Sequence, residues 1–384
     1  MDTPCPICDR GALARFLRID AVPVMTTQLW PDADTADSAP RGDLDLAVCR
    51  NCGAIRNLAF DPSLVEYAGD YENSQLFSPA FRDYARELAT DLVREFELGD
   101  GTVLEVGCGK GEFLEVLCGA GCARAIGYDS SYEGEIDDGP YAERIRIERR
   151  LLDERDTTPA DLVVSRHVLE HIDEPLGALR SWRRATAETE AAFYVEVPDA
   201  RYVISPTGMW DLIYQHVTYF SPPNLELLVR RAGLRPTRCQ SVFGDQFLAL
   251  RAEPSSVGES DSLDAEEVRG IVAAAHGLGE RFADTLLHWE ELLGTRARTA
   301  LWGAGAKGVT FLNAMARVGG VDDVVDLNPR KQGSYLPGTG HEILAPDQLR
   351  DRNPGRVIVM NPMYRDEVAQ ALRSMDVDAE VLVA

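Results

Sequence analysis

Lysine is nearly absent from this chain: it stands only at Lys110, Lys307 and Lys331 among 384 residues, and arginine supplies the rest of the positive charge. Together 39 basic residues face 63 acidic ones, for a formal net charge of −24. Such a surface carries no basic stripe for phosphate backbones, which argues against a nucleic acid polymer as partner. Also missing is any run of about 18 apolar residues, so no segment reads as membrane-spanning. The opening Met1-Asp2-Thr3-Pro4-Cys5 lacks the basic-then-apolar order of a signal peptide, and the expectation is a cytoplasmic protein with no membrane partner. No fixed-period repeat is present.

Cysteine is scarce but patterned. Cys108, Cys118, Cys122 and Cys239 are scattered, whereas Cys5-Pro6-Ile7-Cys8 and Cys49-Arg50-Asn51-Cys52 repeat one spacing. In a reducing compartment, two such pairs suggest a metal site rather than disulfides. They resemble paired zinc knuckles, in which each pair turns its thiolates toward one tetrahedral ion. Cys5, Cys8, Cys49 and Cys52 are therefore the expected zinc ligands. Four cysteines leave no coordination position open, so the zinc is read as structural.

A chain of this length suits two or three domains. Residues 1–66 read as a small metal-stapled module around an irregular stretch from Pro31 to Pro40. Phe81, Tyr84, Leu88, Leu92 and Phe96 recur at helical spacing and lead into the strand Thr102 to Val106. Strands then alternate with helical patterns at 125–128, 162–165, 193–197 and 247–250, which predicts a doubly wound sheet over 67–253. A polar linker from Arg251 to Ser262 and one long helix to Leu293 fill 254–298. Residues 299–384 read as a second, smaller Rossmann-like α/β domain. The fold class expected is α/β throughout, with a zinc-binding module in front.

The strand ending in Val103-Leu104-Glu105-Val106 runs into Gly107-Cys108-Gly109-Lys110-Gly111, where backbone must pass close to a ligand. The acidic Glu105 two places before the first glycine, with glycines at every second position, resembles motif I of the class I S-adenosylmethionine-dependent methyltransferases. Arg166-His167-Val168-Leu169-Glu170-His171-Ile172 resembles a second loop of that class. The resemblance implies S-adenosylmethionine at Glu105, Gly107, Gly109 and Gly111, with Asp129 meeting the ribose, Ser130 beside it, and His167 at the cofactor site. Glu170 and His171 are read as capping or bracing the loop.

The paired cysteines, these cofactor motifs, the stretch Tyr214-Gln215-His216-Val217-Thr218-Tyr219-Phe220 and the C-terminal Trp302-Gly303-Ala304-Gly305-Ala306-Lys307-Gly308 together resemble the sugar C-methyltransferases of nucleotide-deoxysugar biosynthesis. That resemblance implies a nucleotide-linked keto-sugar as acceptor, with His216 removing the proton beside the ketone. A tyrosine hydroxyl from Tyr71, Tyr214 or Tyr219 would meet the oxygen charge. Tyr71 is also expected to touch the substrate, and Lys307 its diphosphate. Two positions differ from the family pattern: Gln215 stands where glutamate is common, and Val242 to Phe247 replaces a glycine-rich stretch. Methylation of a hydroxyl or carbon on a non-sugar small molecule, and a cofactor-binding assembly protein without turnover, remain open alternatives. The C-terminal glycine loop shows no clear acidic partner, and the turn-rich stretch from Asp326 to His341 either closes over substrate or packs between domains.

Overall fold

The computed structural model describes residues 4–10, 12–67, 71–153, 155–256 and 260–384. Among them, three sheets carry the fold. The central one has seven strands in the order Leu234–Val242, Phe247–Pro254, Ala192–Pro198, Leu162–Arg166, Thr102–Val106, Arg124–Tyr128 and Ile145–Glu148. All neighbours are parallel except Phe247–Pro254, which runs antiparallel to both strands beside it.

Thr102–Val106 is buried at every residue because helices cover both faces. On one side Leu88, Leu92, Leu114 and Leu117 pack on Val103, Leu162 and Val164. On the other, Leu179, Trp182, Leu225 and Leu228 pack on Leu104, Val163 and Phe193. This is the doubly wound α/β architecture, and its ligand crevice lies at the carboxyl end of Thr102–Val106, where the strand order reverses.

The C-terminal sheet is wholly parallel, in the order Ile343–Leu344, Asp323–Val325, Thr299–Trp302, Arg356–Val359 and Glu380–Val383. Its own reversal point is Thr299–Trp302, which runs into the second glycine loop. The N-terminal sheet is antiparallel and joins Leu13–Pro23, Arg41–Cys49 and Ile55–Asn57 to Thr218–Tyr219. That fourth strand comes from far along the chain, two residues after His216.

Several expectations give way. The stretch from Pro31 to Pro40 holds the helical turn Ala33–Asp37, whose N-cap Asp32 accepts from the Thr35 N–H. The single helix expected up to Leu293 is two, Ala265–His276 and Leu278–Leu293, divided at Gly277. The linker does not begin at Arg251, which lies buried in the strand to Pro254 with its Nε 3.0 Å from Glu95. The stretch from Asp326 to His341 packs against the N-terminal module: Tyr335 N donates to the Trp30 carbonyl at 2.9 Å and Gly338 N to that of Ala36 at 2.7 Å. One apolar cluster containing Leu44, Ile55, Trp210, Phe282, Phe311 and Ile358 draws on the N-terminal and C-terminal sheets, the helix pair and the segment 200–212 that follows Ala192–Pro198, so these parts share a core.

Candidate active site

Two glycine loops border one cavity of about 390 Å³. The first follows Thr102–Val106. Gly107, Gly109 and Gly111 adopt φ of 73°, 52° and 77°, a region that favours glycine. A Cβ on Gly107 would lie 2.3 Å from Val168, whereas one on Gly109 would meet nothing within 4 Å. Gly107 is thus needed for packing, and Gly109 leaves room on the ligand side.

At the end of the next strand, Asp129 accepts the Gly109 N–H at 2.8 Å through Oδ2 and the Ser131 N–H and hydroxyl through Oδ1. Ser130 is exposed, and it is Ser131 that bonds Asp129. The second loop repeats this arrangement: Asp326, after Asp323–Val325, accepts the Ala304 N–H at 2.8 Å. The acidic partner not evident in the sequence is therefore Asp326.

Glu105 is 3 % exposed, and its Oε2 has no hydrogen-bond partner. Burial pushes its carboxyl up to about 8, against the pull of Arg166, and Asp129 and Glu196 push the same way. Arg166 is held by Glu196 at 3.0 Å and lies over the Phe113 ring. For Glu196, burial is the largest single influence and raises the carboxyl, but Arg166, His167 and Tyr194 together outweigh it and hold the group well below the usual range. His167, with φ of 54°, stands 3.2 Å from Glu196 and edge-on to Phe247.

His216 is 7 % exposed, lines the cavity, and its Nδ1 has no partner. Burial lowers its pKa well below 6.5, with His171 and His167 adding to the effect and the Asp211 carbonyl opposing it. His171 braces the loop as expected, its Nδ1 3.0 Å from the Gln215 carbonyl, and burial brings its pKa down to about 4. Glu170 does not cap or brace through its side chain: both carboxylate oxygens are buried without partners. The sequence gives no signal for this, because it depends on what the fold leaves out of reach.

The tyrosines separate. Tyr71 lines the cavity and accepts from Gln215 Nε2 at 3.4 Å. Tyr214 turns away, its hydroxyl accepting the Asp61 N–H at 2.8 Å and donating to Ala59 O. Tyr219 donates to the Ile213 carbonyl at 3.1 Å. Neither Tyr214 nor Tyr219 lines the cavity, because the N-terminal module and the chain's own turn consume their hydroxyls. Lys307 reaches the cavity but is already engaged, by Gln246 Oε1 at 2.7 Å and Asp211 Oδ2 at 3.1 Å.

The four N-terminal cysteines are buried with their sulfurs all within 4.8 Å of one another. Cys5 to Cys52 and Cys8 to Cys49 are each 3.6 Å. A disulfide would need about 2.05 Å. A tetrahedral zinc with Zn–S bonds of about 2.3 Å sets its sulfurs about 3.8 Å apart, so the donor set fits such an ion.

A strand–glycine loop–helix at the reversal point of a doubly wound sheet, with Glu105 and Asp129 around it, defines a nucleotide-type cofactor site. Residues 80–238 match the family model for a methyltransferase domain, and residues 280–383 match that for a C-methyltransferase C-terminal domain. The chain is an S-adenosylmethionine-dependent methyltransferase. A search of curated proteins returned no match. Among solved structures it is similar to the Burkholderia thailandensis 1,6-didemethyltoxoflavin-N1-methyltransferase with bound S-adenosylhomocysteine, at 20% identity over 46% of this chain and 82% of that one, TM-score 0.38. It is likewise similar to magnesium protoporphyrin IX methyltransferase from Synechocystis PCC 6803, at 16% identity over 46% and 84%, TM-score 0.38. Among the described residues, no helix is long and apolar enough to cross a membrane.

Proposed function

We propose that the protein transfers the methyl group of S-adenosylmethionine to a carbon beside the ketone of a nucleotide-linked keto-deoxysugar, with His216 as general base. The observation that carries this reading is the free, buried Nδ1 of His216 on the cavity between the two glycine loops. With its pKa lowered, that imidazole is neutral at ordinary pH and able to take a proton. The match to a C-methyltransferase C-terminal domain supports carbon as the methylated atom.

S-adenosylmethionine supplies an electrophilic methyl on a sulfonium. Glu105 offers its unpartnered oxygen to the cofactor's ammonium, which would relieve a buried carboxylate. Gly109 lets the backbone approach the cofactor while Gly107 and Gly111 set the loop's turn and close packing, Asp129 and Ser130 meet the ribose, and His167 borders the site. Tyr71, held by Gln215, donates to the acceptor oxygen. Lys307 would meet the diphosphate by exchanging Asp211 for it. A zinc ion held by Cys5, Cys8, Cys49 and Cys52 fixes the N-terminal module and takes no part in the chemistry.

The test is incubation with a methyl-labelled donor and a panel of nucleoside-diphosphate keto-sugars, followed by mass spectrometry. One labelled methyl on carbon is expected. Methylation of a non-sugar acceptor alone would replace the sugar in this reading.

A further inference from the structure

Resting on that reading, we propose that Glu170 enters the reaction as a neutral carboxylic acid, donating its O–H to the acceptor's ketone oxygen as that oxygen gathers charge.

Glu170 sits in the turn Leu169–His171 after the strand Leu162–Arg166 and lines the cavity at 1 % exposure. Its backbone carbonyl accepts the Val217 N–H at 2.8 Å, which ties it to the segment carrying His216. One carboxylate oxygen and a ring nitrogen from each of His171 and His216 lie within 4.8 Å of one another. A ketone in that space can therefore present its adjacent carbon to His216 and its oxygen to Glu170.

A buried carboxylate without a donor or cation is costly, and the group relieves that cost by holding its proton. The surroundings offer no compensating charge. His167 Nδ1 is 3.8 Å away, beyond hydrogen-bond reach, and Arg166 is paired with Glu196. Burial keeps His171 and His216 uncharged at neutral pH, and burial raises the hydroxyls of Tyr67 and Tyr71 on the facing segment, which stay neutral. Burial pushes Glu170 up to about 8, Glu196 adding to it and the residue's own N–H opposing it. A carboxyl kept neutral at pH 7 in an apolar site is a known form of oxyanion donor. With Tyr214 and Tyr219 bonded elsewhere, Glu170 supplies a donor beside Tyr71.

The step balances simply. His216 Nδ1 takes the proton from the carbon beside the carbonyl, and that electron pair spreads onto the ketone oxygen, where the Glu170 O–H hydrogen-bonds to it. The carbon then takes the methyl as the carbon–sulfur bond breaks, leaving its electrons on sulfur. Glu170 keeps its proton throughout, and His216 releases the one it took to solvent.

Two measurements test this. In protein labelled with carboxyl-13C glutamate and saturated with S-adenosylhomocysteine, the NMR resonance missing from Glu170→Gln should titrate near 8; titration near the ordinary 4.5 overturns the proposal. On whichever acceptor is methylated, Glu170→Gln, which keeps a donor but cannot ionise, should stay within about tenfold of the parent and lose the alkaline fall in kcat/KM. Glu170→Leu, which keeps the volume but not the donor, should lose about 10²–10³-fold in kcat. S-adenosylhomocysteine affinity should be unchanged in both. Equal losses in the two variants overturn the donor role, as does a divalent-metal requirement, which would make Glu170, His171 and His216 a cation site. Failure of every keto-sugar as acceptor refutes the sugar reading, while the titration still decides the state of Glu170.

Discussion

The carboxamide oxygen of Gln215 accepts both the backbone N–H of Thr26, at 3.1 Å, and its hydroxyl, at 2.9 Å. The residue directly before His216 is thus anchored to the N-terminal module, and its Nε2 is left to hold Tyr71. A strand pairing further ties the same segment down, since Thr218 and Tyr219 pair with Arg56 and Ile55. The N-terminal module accordingly forms a wall of the cavity, to which it contributes Thr26 and Thr27.

Gln215→Leu should strand both Thr26 donors in a buried setting, at a cost of about 1–3 kcal/mol. The expected outcome is a lower melting temperature and at least a tenfold loss of kcat, with S-adenosylhomocysteine affinity within about twofold of the parent. Calorimetry and steady-state kinetics check it.

If Cys5, Cys8, Cys49 and Cys52 hold a zinc as proposed, removing it should reach His216 through the shared sheet. Metal analysis should find one zinc per chain, and Cys49→Ser or a strong chelator should abolish methyl transfer and expose the N-terminal module to protease. Retained activity in metal-free protein would contradict the structural role.

The first and second glycines of the cofactor loop should fail differently. Gly107→Ala drives a methyl into Val168 and should destabilise the fold, whereas Gly109→Ala has open space and a backbone penalty of about 1–2 kcal/mol. Gly109→Ala should stay folded and lose at least tenfold in S-adenosylmethionine affinity, measured by titration calorimetry.

Cofactor affinity should rise with pH. In the free protein Glu105 holds its proton up to about 8, and an ammonium beside it favours the ionised form, so the complex carries fewer protons than its parts. Binding should strengthen from about pH 6 to 8 with proton release, and Glu105→Gln should remove that slope. The same raised pKa predicts that the cofactor-free protein loses stability as pH climbs from about 4.5 to 8, because the folded state binds more protons there than the unfolded one. His171 acts oppositely: held near 4 when folded, it contributes stability that falls away as pH drops from 6.5 toward 4.

How much of this was legible in the sequence follows from how each feature is made. Central parallel strands such as Leu162-Val163-Val164 read clearly because burial on both faces demands continuous apolar runs. The two edge strands of the central sheet do not. Leu234–Val242 carries Pro236 and Arg238 around a bulge, and Ile145–Glu148 alternates with charge. Thr218–Tyr219 and Ile343–Leu344 are too short to show any period. At the site, Glu105 and the glycines are marked by their spacing, and His216 only by the resemblance of the stretch Tyr214 to Phe220 to the sugar C-methyltransferases. The partnerless carboxylate of Glu170, the diverted hydroxyls of Tyr214 and Tyr219, and the pairing of Asp326 with Ala304 are tertiary facts with no local signature.

The central claim is carbon methylation with His216 as base, and solvent exchange reads it most directly. With a nucleotide-linked keto-sugar and S-adenosylhomocysteine in D₂O, the parent should exchange the proton beside the ketone, and His216→Ala should do so at least about 10²-fold more slowly while binding both ligands normally. Exchange at the parent rate in His216→Ala, or a methyl found on oxygen in the turnover product, would contradict the account.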